Sequence, residues 1–279
     1  MTQPPPLFDR AALTRRRARA RTEALFLHHA VIAEIKERLA EVNRTFTAPA
    51  IVTAAPGPWH EVMPDARIVG DEETLDLTPG AHDLVIHSLA LHWANDPVGQ
   101  LVQCRRALQP DGLLLAALFG GQTLNELRTA LAETEVRVMG GLSPRVAPMG
   151  EIRDLGALLQ RAGLALPVAD ALPLSVTYAS ALALMHDLRA MGETNVMGAR
   201  DRRPPPRQFF AEAAAHYAQH FPAEGKRIRA TFEIVYLTGW APSATQQKPL
   251  RPGSATARLA DALGAEEYSA GERPDGGAD

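Results

Sequence analysis

The chain has 279 residues, 46% of them hydrophobic and 22% charged, with a formal net charge of −3. At roughly 100–200 residues per domain this makes one large domain or two small ones with a sizeable core. A sequence pI near 6.3 gives the whole chain no nucleic-acid footprint. The single cysteine, Cys104, excludes an internal disulfide and a cysteine-based zinc knuckle. The longest apolar run, Leu113 to Phe119, has a strand's length and falls short of the ~18 residues a membrane helix needs. Alanine occurs 48 times and arginine outnumbers lysine by 26 to 3, the bias of a GC-rich bacterial gene.

The chain opens on Pro4, Pro5 and Pro6, which preclude a helix there, followed by Arg15, Arg16, Arg17, Arg19 and Arg21. Residues 1–21, arginine-rich with Asp9 their only acid, read as a solvated basic surface arm, with a mitochondrial presequence as the alternative. They lack the apolar core of a secretory signal, so the expected location is cytoplasmic. Leu25, Ile32, Ile35, Leu39 and Val42 recur at spacings of three, four and seven, which predicts a helix over about 19–42. Short buried strands are predicted at Ala50 to Thr53, Ala66 to Val69 and Asp83 to Ser88.

Asn95-Asp96-Pro97 supplies an N-cap and a proline at the first helical position, with Val98, Leu101, Val102 and Leu108 as the buried stripe. Leu113 to Phe119 is continuously apolar, as a strand covered on both faces should be. Thr123 and Glu126 have the spacing of a capping box opening another helix. Further helices are predicted near 150–162, with Gly163 just past the end, and near 180–191 and 208–220; a strand follows at Thr231 to Trp240. This alternation indicates an α/β fold with a parallel sheet. Residues 243–279 have no pattern that could bury a core and read as a disordered tail.

Residues 83–96, DLVIHSLALHWAND, resemble the fourth strand and following loop of class I S-adenosylmethionine-dependent methyltransferases. The similar branch contains the malonyl-carrier-protein methyltransferase of biotin synthesis and the mitochondrial complex I assembly factor that hydroxylates an arginine. Residues 105–131, 140–163, 187–195, 230–240 and 252–256 resemble the assembly factor in order along the chain, as does Leu7-Phe8-Asp9-Arg10. The resemblance implies a doubly wound, Rossmann-like sheet over residues 22–242 with a mostly helical cap within about 140–220. It implies S-adenosylmethionine at the carboxyl ends of the strands, and a protein client such as a respiratory complex I subunit. It gives no role for nucleic acid, a metal or a transmembrane segment, and brings the protein to the inner membrane only through its client.

In that family a Gly-rich loop after the first strand holds the methionine part of the cofactor. An acid after the second strand binds the ribose, and an Asp after the third meets the adenine. Here the loop reads Thr53-Ala54-Ala55-Pro56-Gly57-Pro58, with one glycine between two prolines. Asp71, in GDEETLDL, matches the adenine-contacting position. Only the thirteen residues 58–70 separate it from Gly57, so one strand–helix unit is missing and the N-terminal half of the sheet is truncated. Asp65 or Glu61 are the acids available to replace the lost ribose ligand.

The cofactor-contact candidates carried by this resemblance are Gly57, Asp71, Glu72, Ser88 and His92; no catalytic residue is assigned. Each also has a plain structural reading, Asp71 and Glu72 as a solvated turn and the residues around Trp93 as packing beneath the sheet. His82, His87 and His92, five apart, do not share a face, and His216 with His220 reads as a helix surface rather than a metal pair. Arg145, near the substrate mouth, is a candidate anion contact. Two functional readings remain: an S-adenosylmethionine-dependent enzyme that modifies a protein, or a non-catalytic assembly protein (a pseudoenzyme) that keeps the fold.

Overall fold

The computed structural model describes residues 6–246 and Gly264. All elements below fall within one unit, Met1–Ser243. The tail read as disordered over 243–279 and the 252–256 motif lie almost wholly outside the described residues.

The first half alternates helix and strand: α1 (Arg10–Arg17), α2 (Phe26–Glu41), β1 (Pro49–Thr53), α3 (Pro56–Val62), β2 (Arg67–Val69), β3 (His82–Ser88), α4 (Pro97–Ala107) and β4 (Leu108–Phe119). The second half adds α5 (Asn125–Met139), α6 (Ile152–Arg161), β5 (Ala165–Tyr178), α7 (Ala181–Met191), α8 (Arg207–His220), β6 (Pro222–Ala223) and β7 (Arg227–Trp240). The sheet runs β2-β1-β3-β4-β7-β5, with the two-residue β6 pairing on β7 off this path. β2, β1, β3 and β4 are mutually parallel. β7 enters antiparallel between β4 and β5.

Period-2 alternation sorts the strand side chains between two cores. Ile51, Leu84, Ile86, Leu113 and Leu115 face one side, where they pack with α2 (Val31, Ile35), α5 (Leu127), α7 (Leu184) and α8 (Phe209). Ala50, Val52, Val85, Leu114 and Ala116 face the other, against α4 (Leu101, Cys104) and α6 (Leu155, Leu159). The sheet is therefore covered on both faces, as its continuous apolar strands require. Asp96 caps α4 by accepting from the Gly99 N–H at 2.8 Å. Gly163 follows α6 at φ +76°, where a side chain would be strained.

The missing unit is visible in the topology. β1 passes through the seven-residue α3 directly into β2, which lies beside it with Val52 opposite Val69. The strand carrying the adenine-type Asp motif thus occupies the place next to β1, where the family's ribose-binding acid would be expected.

Three expectations are corrected. The arm over 1–21 is not a solvated extension: Asp9 caps α1 through the Ala12 N–H at 2.9 Å, and Phe8, Ala12 and Leu13 are buried with Trp93 and Val196. The helix expected from about residue 19 begins at Phe26, after a 3₁₀ turn at Thr22–Ala24. The capping box does not form, because Leu124 takes φ +53° and Thr123 and Glu126 turn to β7 instead. Within 140–220, α6, α7 and α8 supply most of the regular structure, and the fourteen-residue β5 among them joins the main sheet on β7.

Candidate functional site

The carboxyl ends of β1 and β2, together with α1, enclose a cleft of about 560 Å³ lined by Arg10, Arg17, Thr53, Ala54, Asp71 and Glu72. A smaller cleft of about 200 Å³ lies beside it, lined by His28, Ala55, Gly57, Pro58 and Glu193. Arg17, Ala54 and Pro56 line both. Arg17 therefore stands where the two halves of one crevice would join.

Its guanidinium is fixed there by Asp71. Arg17 Nη1 donates to both Asp71 carboxylate oxygens at 2.9 Å, and Arg10 Nη1 donates to Oδ2 at 3.0 Å. The Asp71 side chain is only 8% exposed. Burial alone would raise its pKa, but Arg17 and Arg10 outweigh that and hold it at about 2. Its carbonyl accepts from Gln100 Nε2, and Gln100 Oε1 is 2.9 Å from His87 Nε2. Burial pushes the His87 pKa down to about 4, so the ring is neutral at physiological pH.

On the far side of the strand ends, Glu193 receives Trp93 Nε1 at 2.7 Å and lies 3.4 Å from His92 Nε2. The His92 ring packs on Phe119 with centroids 4.5 Å apart. Beyond this pair, an apolar pocket of about 240 Å³ opens between β4, α5 and α7, lined by Phe119, Leu127, Leu131, Leu188 and Phe232. Arg145 sits at its edge, neutralised by Glu135 at 2.6 Å and lying 4.5 Å over the Phe209 ring. It is not a free anion contact.

The five candidate cofactor residues do not converge. Asp71 and Glu72 line the larger cleft and Gly57 the smaller one. Ser88 and His92 are buried, at 0% and 9% exposure, and line neither. Glu61 and Asp65 are exposed and line neither cleft. His216 pairs with Glu133 at 2.8 Å and stacks on His220. No metal-binding group of three or more ligands occurs among the described residues.

The residues lining this crevice do not fit S-adenosylmethionine. Of the first four positions of α3, Pro56 and Pro58 have no N–H, which halves the amides that could meet the cofactor. Ala55 sits at φ −122°, so the loop does not adopt the turned-in conformation that glycines permit, and a Cβ on Gly57 would meet nothing. Asp71, the acid at the end of the strand beside β1, already accepts from two arginines. Sequence reading missed Arg10 and Arg17; the available signal was Asp9, an N-cap residue set just ahead of an arginine-rich run.

A methyltransferase-domain family profile matches residues 53–116. The chain is 38% identical over 199 residues to the mitochondrial arginine-hydroxylase NDUFAF5 of Danio rerio, covering 71% of this chain and 62% of that protein. It is 37% identical over 188 residues to the malonyl-[acyl-carrier protein] O-methyltransferase of Laribacter hongkongensis, covering 67% of this chain and 61% of that protein. The chain thus spans about three fifths of the length of these curated relatives. Superposition on the YcgJ protein of Bacillus subtilis gives a TM-score of 0.45 at 12% identity, over 72% of this chain and 94% of that one.

Proposed function

Since the chain belongs to the class I S-adenosylmethionine-dependent methyltransferase superfamily, we propose that it is a member that holds a protein client without using the cofactor. The observation that carries this reading is the Arg17 guanidinium, anchored on Asp71 and standing between the two halves of the cofactor crevice. A truncated sheet edge and a proline-blocked loop act in the same direction. The elements around the apolar pocket are intact, and Val136, Met139 and Leu142 leave apolar side chains exposed at the end of α5 and in the loop after it. Such a surface suits a protein segment. By analogy with the arginine-hydroxylase relatives, the client is a respiratory complex I subunit, met at the cytoplasmic face of the inner membrane. No helix among the described residues is long and apolar enough to cross a membrane.

Calorimetric titration of the full chain with S-adenosylmethionine and S-adenosylhomocysteine tests the reading. The expected result is no detectable binding at millimolar ligand. Micromolar binding abolished by Asp71→Ala would overturn it in favour of an enzyme. Co-purification with complex I subunits, lost on Leu142→Glu, tests the client surface separately.

A further inference from the structure

At 100° per residue, α1 presents two opposed polar faces. Arg10, Thr14 and Arg17 face the Asp71 cleft. Arg15 and Arg16 face the other way and, with Arg19 just past the end of α1, line a cavity of about 630 Å³ completed by Arg21, Arg189 and Arg200. Its walls are tied together: the Arg21 N–H donates to the Ala190 carbonyl at 2.8 Å, and Arg16 Nη1 donates to the Thr194 hydroxyl at 2.5 Å.

Among the described residues, Arg15, Arg16, Arg19, Arg21 and Arg189 form no ion pair, while Arg200 is paired with Asp9 at 2.9 Å. The arginine excess is chain-wide, so the residue type carries no argument, but the convergence does. Other arginines of the fold found carboxylates: Arg17 on Asp71, Arg38 on Asp170 and Arg145 on Glu135. The cavity cations instead repel one another. The Arg16 pKa is held below its ordinary value by burial first, then by Arg200 and Arg189. A concave wall with an excess of like charge focuses potential and concentrates counter-ions of high charge.

We propose that this cavity binds a small molecule bearing two or more phosphoryl groups. A guanidinium fork suits a phosphoryl group, two parallel N–H donors meeting two of its oxygens. The cavity has room for several phosphoryl groups and has enough cations to match them. A bilayer fits it poorly: the surface is concave, and Leu13, the one large apolar residue of α1, is buried in the fold and unavailable for insertion. A nucleic-acid strand fits it poorly too, because no Phe, Tyr or Trp lines the cavity to stack on a base.

The test is calorimetric titration of the full chain, at low salt, with tripolyphosphate, pyrophosphate and inorganic phosphate as probes. Anionic phosphatidylglycerol vesicles form a separate arm. The expected result is one-to-one binding that strengthens from phosphate to pyrophosphate to tripolyphosphate. Affinity should fall about tenfold or more in the double variant Arg15→Gln/Arg19→Gln, and stay unchanged in Arg153→Gln on α6, away from the cavity. Arg15 and Arg19 are exposed, so the double variant should fold, and an unchanged thermal midpoint checks that. The proposal is overturned by no binding of any phosphate probe, by equal affinity in the double variant and Arg153→Gln, or by association with vesicles but not with tripolyphosphate.

Discussion

Replacing Asp71 with asparagine keeps the side chain's shape and removes the carboxylate that pairs with both Arg10 and Arg17. At about 1.4 kcal/mol per pKa unit, the depression of Asp71 from 3.8 to about 2 is worth roughly 2.5 kcal/mol of folding free energy at neutral pH. Breaking a buried pair from one side costs roughly 3–5 kcal/mol when the remaining charge is sealed in. Arg10 is 22% exposed and can partly resolvate, so the expected loss for Asp71→Asn is about 2.5–3.5 kcal/mol. The folded-state pKa lies below the unfolded one, so the contribution is complete above about pH 5 and is lost as pH falls through about 3.8 towards 2. Roughly half of it should remain at about pH 3. Urea unfolding of wild type and variant between pH 7 and pH 3, followed by circular dichroism, measures the gap directly. A gap under about 0.5 kcal/mol at pH 7, or one that fails to narrow as pH falls, would refute the account of Asp71 as the anchor of the crevice.

Glu126 is 3% exposed and accepts from the Thr231 N–H and hydroxyl; Glu126→Ala orphans both donors and should cost about 2–3 kcal/mol in chemical denaturation, with Glu126→Gln recovering part of it. Burial pushes the Cys104 thiol up to about 12, so native protein should resist a thiol reagent at pH 8 and react once denatured. Burial pushes both His28 and His87 down to about 4, so their ring signals in NMR should not titrate between pH 8 and pH 5. The unfolded chain takes up those protons from about pH 6.5 downwards, and stability should decline with falling pH from there.

The sequence carried the regular half of this fold well. β3 and β4 are apolar runs of strand length, α4 has its Asp96 cap and α6 its Gly163 stop, and each signal is local. β5 was illegible for a physical reason: it lies at the sheet margin, carries Pro167 and Pro173, and mixes exposed Leu172 with half-buried Leu174, so neither alternation nor composition marks it. α1 was hidden by its charge, since the residues that bury it, Phe8, Ala12 and Leu13, are few among many arginines. The missing strand–helix unit could be counted from the spacing of Gly57 and Asp71. That Arg17 crosses fifty-four residues of sequence to close the crevice could not, because an ion pair of that separation exists only once β2 has docked against β1.

The prolines of β5 have one more consequence. Among the described residues this strand has a neighbour on one side only, and it leaves Leu166, Val168 and Leu172 uncovered. A long, apolar, unpaired strand is a template for other chains to extend. Pro167 and Pro173 remove N–H groups from that row, and the opposite margin, β2, offers only three residues. Both margins of the sheet are thereby poor starting points for fibril growth. Restoring the donor with Pro173→Val should show its effect in the lag time of aggregation rather than in the melting temperature.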